Sequence, residues 1–171
     1  DDPCNRCHGT GRGKSNRTVQ ARIPAGVKDG TKIRLKGRGG PGENGGPGGD
    51  LFVKVTVKAH PLYERKGDNL TVEVPVTFAE AALGADIAIP VPRGGTVNMR
   101  IPAGTTSGRT FRIKGKGVRG KDGKNHDVLA VIDVAVPQNL NEEAKTALAA
   151  FAEATIDQDP RKEIYALGAK S

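Results

Sequence analysis

The sequence predicts a mostly β chain: two tandem, similar β-sandwich-like domains of short antiparallel strands, followed by a short C-terminal helical segment. Three observations carry this prediction: an internal repeat, a period of two in the apolar residues of both copies, and a change of texture after Pro137. The repeat has an offset of 78 positions. Val19-Gln20-Ala21-Arg22-Ile23-Pro24-Ala25-Gly26 aligns with Val97-Asn98-Met99-Arg100-Ile101-Pro102-Ala103-Gly104, and 33–39 aligns with 111–117. After a loop shorter by one residue in the second copy, Asp50-Leu51-Phe52-Val53 meets Asp127-Val128-Leu129-Ala130.

Within the first copy, Val19, Ala21 and Ile23 alternate with polar residues, the signature of a half-buried strand, and Pro24 ends it. Pro-Ala-Gly and then Gly30 read as a turn. Ile33 and Leu35 alternate with Arg34 and Lys36 as a returning strand. Eight glycines between 37 and 49 make that stretch a loop, since no packed element tolerates so many. Leu51, Val53, Val55 and Val57 form the third strand. The second copy adds a leading segment, 67–92. Leu70, Val72, Val74 and Val76 alternate as a strand, 78–83 reads as a short helix ending at Gly84, and Ile87, Ile89 and Val91 give another strand. Nothing equivalent precedes Val19, so the first domain is expected to be truncated at its N-terminal side. Beyond Pro137, Asn141 is a fitting N-cap with Glu142 and Glu143 in the first turn. Ala144, Leu148, Phe151 and Ala152 then recur at helical spacing. Asp159-Pro160 predicts a second helix start and Gly168 its stop.

Composition narrows the function classes. The chain has 171 residues and a net charge of +8, distributed as +7 over 1–40, −3 over 41–92, +8 over 93–126 and −4 over 127–171. No apolar run approaches the roughly 20 residues of a membrane span, and the opening Asp1-Asp2-Pro3 carries the expectation of no signal peptide. With two cysteines so close together, no disulfide framework is available; a reducing, cytoplasmic location follows as the expectation. The basic blocks raise a rival reading, an RNA- or ribosome-binding β protein. Six aromatics in total and no Trp count against it, because single-strand binders need stacking platforms. Enzyme signatures are lacking: there is no Gly-x-Ser-x-Gly and no phosphate loop ending in Lys-Ser or Lys-Thr.

Cys4-x-x-Cys7-x-Gly9-x-Gly11 sets two thiolates at zinc-ligand spacing. Structural zinc takes four ligands, and His8 lies too close to Cys7 to complete a tetrahedron. The residues themselves therefore read as half a zinc site or as two free thiols. His60 and His126 flank strands and read as surface residues.

Taken in order, the motifs resemble a known family. Cys4-x-x-Cys7-x-Gly9-x-Gly11, Ile23-Pro24-Ala25-Gly26-Val27-x-Asp29-Gly30, Gly49-Asp50-Leu51-Phe52-Val53, Gly67-Asp68-Asn69-Leu70, Glu80-Ala81-Ala82-Leu83-Gly84 and Arg112-x-x-Gly115-Lys116-Gly117-Val118 are similar to the C-terminal substrate-binding region of the DnaJ family, co-chaperones with a J domain and a cysteine-rich zinc region. The resemblance implies a last cysteine repeat over 1–13, a partial first C-terminal β domain over 14–66, a second over 67–137, and a dimerisation segment of helices over 138–171. It also implies departures. The J-domain signature His-Pro-Asp is absent, since His60-Pro61 is followed by Leu62. Cys4 and Cys7 match the last of four cysteine repeats, which in the family pairs with the first. Zinc belongs to the intact protein and is expected to be incomplete or absent in this chain.

On the same resemblance the chain is no enzyme but a co-chaperone fragment. It would bind unfolded or misfolded polypeptides by strand addition in an apolar groove and, in the intact protein, deliver them to DnaK for folding and the heat-stress response. The family's pocket-lining positions fall on Val19 and Val53. Their neighbours Ala21, Ile33, Leu35 and Val55 join them by strand parity, although alternating valines read by pattern alone as core. The glycine loops 37–49 and 115–123 read as connectors or as a mobile rim. The expected partners are unfolded clients, DnaK and a second copy of the chain, with no membrane and no nucleic acid.

Overall fold

A computed structural model describes residues 16–170. Its elements are β1 (Lys32–Leu35), β2 (Leu51–Lys54), β3 (Tyr63–Lys66), β4 (Asn69–Thr77), α1 (Phe78–Leu83), β5 (Ala85–Pro90), β6 (Thr96–Ile101), β7 (Thr110–Ile113), β8 (Val128–Ala135), α2 (Glu142–Ala154) and α3 (Lys162–Gly168). A 3-10 turn, Glu43–Gly45, sits inside the first glycine loop.

The core belongs to the second copy. One sheet runs β3-β4-β8-β7, and β5 and β6 pair as a second sheet. Leu70, Val72, Val74 and Val76 of β4 face inward with Val128, Ala130 and Ile132 of β8. Ile89 of β5, Ile101 of β6 and Ala81 of α1 close over them, and Phe111 and Val97 pack at the margin. Burying an isoleucine such as Ile89, Ile101 or Ile132 stabilises by about 1.5–3 kcal/mol. Thr105 is the buried polar residue of this core, and its Oγ1 donates to the Pro102 carbonyl at 2.6 Å.

Capping explains the helices. The Thr77 Oγ1 accepts from Glu80 N at 3.1 Å while Thr77 N donates to Glu80 Oε1 at 3.0 Å, a capping box that starts α1 at the end of β4. Gly84, at φ 80°, stops it. At α2 the Asn141 Oδ1 accepts from Ala144 N at 2.8 Å, as its sequence position predicts. Asp159 Oδ1 accepts from Arg161 N at 2.9 Å in the turn before α3.

Hydrogen bonds repeat with the sequence. Gly30 N donates to Val55 O at 2.9 Å, and Gly108 N to Ile132 O at 2.7 Å. Gly39 N donates to Gly49 O at 2.8 Å, and Gly117 N to His126 O at 2.8 Å. Ile33 faces Val53 in the β1–β2 pair, and the equivalent Phe111 faces Ala130 in β7–β8. The two copies are one structural unit used twice.

Four details differ from the sequence prediction. Residues 19–23 form no strand: alternation supplies a face, but no neighbouring strand pairs with them, and Ile23 is exposed. The strand expected to reach Val57 ends at Lys54. Its backbone bonding continues through Val55 N to Thr31 O at 2.8 Å, and Val57 N turns aside to Asp29 Oδ1 at 2.9 Å. The strands are not all antiparallel, because β4 and β8 pair in parallel over eight residues, Leu70 opposite Val128 through Thr77 opposite Ala135. Finally, β3 was not foreseen. It lies on the N-terminal side of the division drawn at residue 66 yet pairs with β4 across the two-residue turn Gly67-Asp68. Gly67 has φ 63°, the left-handed conformation such a turn demands.

Candidate functional site

The positions singled out in the first copy converge on one small surface. In β1 and β2, Ile33 and Leu35 lie on the same face as Leu51 and Val53, paired Ile33 to Val53 and Leu35 to Leu51. Val55 continues that face by parity. All five side chains are half-buried, and none joins the hydrophobic core. Val19 is also half-buried, whereas Ala21 is exposed; both lie in irregular backbone rather than on a strand. The opposite face carries Lys32, Arg34, Phe52 and Lys54, all exposed, with Phe52 at 62%.

Comparison between the copies gives this surface its meaning. The equivalents of Ile33, Leu35, Leu51, Val53 and Val55 are Phe111, Ile113, Val128, Ala130 and Ile132. In the second copy β4 extends the sheet beside β8, Ile89 of β5 and Ile101 of β6 share its core, and Val128, Ala130 and Ile132 retain at most 1% exposure. The same pattern is sealed in one copy and open in the other. Among the described residues neither β1 nor β2 has a second strand beside it, so no third strand extends the pair.

An aspartate fixes the rim in each copy. Asp50 Oδ1 accepts from Gly37 N at 2.9 Å and its other oxygen pairs with Arg34. Asp127 Oδ1 accepts from Gly115 N at 2.9 Å and Oδ2 pairs with Arg112 at 2.8 Å. Each carboxyl is held below its ordinary pKa, first by the backbone N–H and then by the arginine. Arg17 Nη2 donates to the Arg38 carbonyl at 3.0 Å, tying the segment before Val19 to the same loop. Sequence reasoning missed this latch, although the shared Arg-x-x-Gly and Gly/His-Asp pattern in both copies could have indicated it.

A second apolar surface lies at the C-terminal end. Phe78 of α1 meets Phe151 of α2 edge to face, with ring centroids 5.5 Å apart. Leu83 of α1, Ile156 after α2, and Ile164, Tyr165 and Leu167 of α3 are also exposed, Leu83 at 77% and Ile156 at 82%. Neither α2 nor α3 buries a residue.

Cys4 and Cys7 lie outside the described residues. Among the described residues no group of three His, Cys, Asp or Glu side chains could hold a metal. Two thiolates alone leave a tetrahedral zinc ion two ligands short, so the donor set does not fit a complete site within this chain. His60 is exposed and its Nδ1 accepts from Leu62 N at 3.0 Å; His126 is half-buried beside Gly120. No helix among the described residues is long and apolar enough to cross a membrane.

Residues 7–137 match the family model described as the DnaJ C terminal domain. Among curated proteins, the chain is 54% identical over 165 residues to Chaperone protein DnaJ 1 of Streptomyces avermitilis, covering 96% of this chain and 42% of that protein. It is 56% identical to Chaperone protein DnaJ 1 of Streptomyces coelicolor, covering 96% and 45%. With Chaperone protein DnaJ 2 of Cutibacterium acnes the identity is 53%, covering 94% and 46%. The chain thus spans less than half the length of these relatives.

Proposed function

Because the chain belongs to the DnaJ C-terminal domain family, a family of co-chaperones rather than enzymes, we propose that it binds unfolded or misfolded polypeptides in extended form against β1 and β2. The observation that carries this reading is the half-buried apolar face of Ile33, Leu35, Val53 and Val55, which lies outside the hydrophobic core on a pair that no third described strand extends. Backbone hydrogen bonds to an added strand are independent of client sequence, and a small apolar surface selects bulky side chains. Those two properties suit a binder of many unfolded chains. Val19 and Ala21 flank this face in the proposal and complete the set of client-contacting residues.

In the longer protein, the bound client passes to DnaK for folding and the heat-stress response, in the cytoplasm. Residues 138–171 join two chains into a homodimer through the exposed face of α2 and α3. Cys4 and Cys7 contribute half of a zinc site that the longer protein completes. Domain limits at 13, 66 and 137 go with this reading, with β3 of the first segment completing the sheet of the second.

Suppression of aggregation of a denatured model protein tests it, in low and high salt, with Val53→Asp alongside. The expected result is protection by the unaltered chain at both salt concentrations and its loss in Val53→Asp, with the second-copy core still folded by circular dichroism. Protection that survives Val53→Asp overturns the groove. Protection that collapses with salt instead points to the RNA-binding reading, since phosphate-driven affinity falls steeply with ionic strength.

A further inference from the structure

The two copies meet at a joint made of few parts. On the first-copy side is the turn at Gly26, whose φ of 72° is left-handed. An added Cβ on Gly26 would stand 2.6 Å from the Arg119 carbonyl oxygen, so the backbone of this turn lies directly against the loop that follows β7. On the other side of the turn is Arg65 of β3. Its Nη2 donates to the Gly26 carbonyl at 2.8 Å and its Nη1 to the Val27 carbonyl at 3.2 Å, both partly buried. Its Nε donates to the Gly67 carbonyl at 3.2 Å, which anchors the guanidinium to its own hairpin. The nearby pair Lys28 and Asp68, at 3.6 Å, is exposed on both sides and contributes little.

Beside the joint the copies are held apart. A cavity of about 1180 Å³ opens between them, lined by Val57, His60, Leu62, Tyr63, Arg93 and Val118 among others. The covalent link through 57–62 forms one of its walls, and the Gly26 turn with Arg65 borders it too. A space that large, bordered by the connecting segment 57–62 and by the Arg65 fork, is the arrangement of a hinge with a catch.

We propose that Arg65 is the catch: its fork onto the Gly26 and Val27 carbonyls fixes the angle between the β1–β2 pair and the four-stranded sheet, and its release lets the two copies swing about residues 57–62. A planar guanidinium with fixed N–H directions serves this role where a lysine would not, because two adjacent carbonyls are engaged at once. Gly26 is the matching half, since any side chain there would push the turn off Arg119. The cavity between the copies widens or narrows as the catch opens or closes.

Residual dipolar couplings on the full 171-residue chain test the catch, read separately for amides of β1–β2 and of β4–β8. The unaltered chain is expected to fit one shared alignment tensor. Arg65→Met and Gly26→Ala, which act from opposite sides of the joint, are each expected to give two tensors of different magnitude, with amides around Val72 and Ile132 unmoved. Lys28→Ala is expected to retain the shared tensor. One shared tensor in Arg65→Met overturns the proposal. Should Arg65→Met lose the dispersed amides of β3 and β4, Gly26→Ala decides alone, because it removes no contact within β3 or β4; a shared tensor there overturns it equally.

Discussion

Asp50 and Asp127 show what one residue contributes when it is repeated. Each uses one carboxylate oxygen for a backbone N–H at the start of a glycine-rich loop and the other for an arginine on the preceding strand. The charged form is the one bonded, so the folded pKa lies below the ordinary aspartate value of 3.8. The linkage has a definite sign. The latch is fully formed above the ordinary value and is lost as the pH falls from there through the lowered folded pKa. Asp127→Asn keeps the shape and removes the charge, so faster exchange of the Gly115 amide is expected at neutral pH, where the unaltered chain stays protected. The two are expected to converge once acid has protonated Asp127. Equal exchange at neutral pH would show that the carboxylate does not hold the loop.

Between β2 and β8 the contrast is one of covering rather than of sequence. Val55 and Ile132 are equivalent by the repeat, and each accepts the same backbone bond, from Gly30 N and Gly108 N. Ile132 is 1% exposed in the core, while Val55 is half-buried outside it. Removing buried methyl groups costs transfer energy plus a cavity, so Ile132→Ala is expected to destabilise by about 2–5 kcal/mol. Val55→Ala is expected to cost under about 1.5 kcal/mol, since its side chain leaves no closed void. Urea melts followed by circular dichroism separate the two, and equal losses would mean that the first-copy face is sealed in solution. The element least open to sequence reasoning was β3. Glu64, Arg65 and Lys66 give no apolar alternation, and the inward positions are filled by Tyr63 and the stem of Arg65. The readable signal was the Gly67-Asp68 turn, a known two-residue hairpin connection.

For the whole molecule, the distribution of apolar surface separates a closed body from two open regions. The core of the second copy is self-contained. The β1–β2 face and the exposed apolar residues of α1–α3 lie outside it, and exposed apolar surface is where other chains are expected to bind. The dimer belongs to this scale. Deleting 138–171 is expected to halve the mass measured by light scattering, from dimer to monomer. An unchanged mass would remove α2 and α3 from the interface.

By itself the sequence determined the repeat, most of the strands, the helix stop at Gly84, the cap at Asn141, and the family, because alternation, capping and turn chemistry are local and survive without knowledge of neighbours. It also placed Ile33, Leu35, Val53 and Val55 on one face. Tertiary structure alone decided whether that face is covered. Two copies with the same period of two have opposite fates because in one of them β4 widens the sheet and β5 and β6 close over it, and covering is a relation between distant segments. The same holds for residues 19–23, whose alternation needs a partner edge to become a strand, and for the parallel pairing of β4 with β8, which joins positions 58 residues apart at Leu70 and Val128. Arg65 is the clearest instance. Its charge is visible in the sequence, but its role depends on two carbonyls at Gly26 and Val27 that only the folded chain brings within reach.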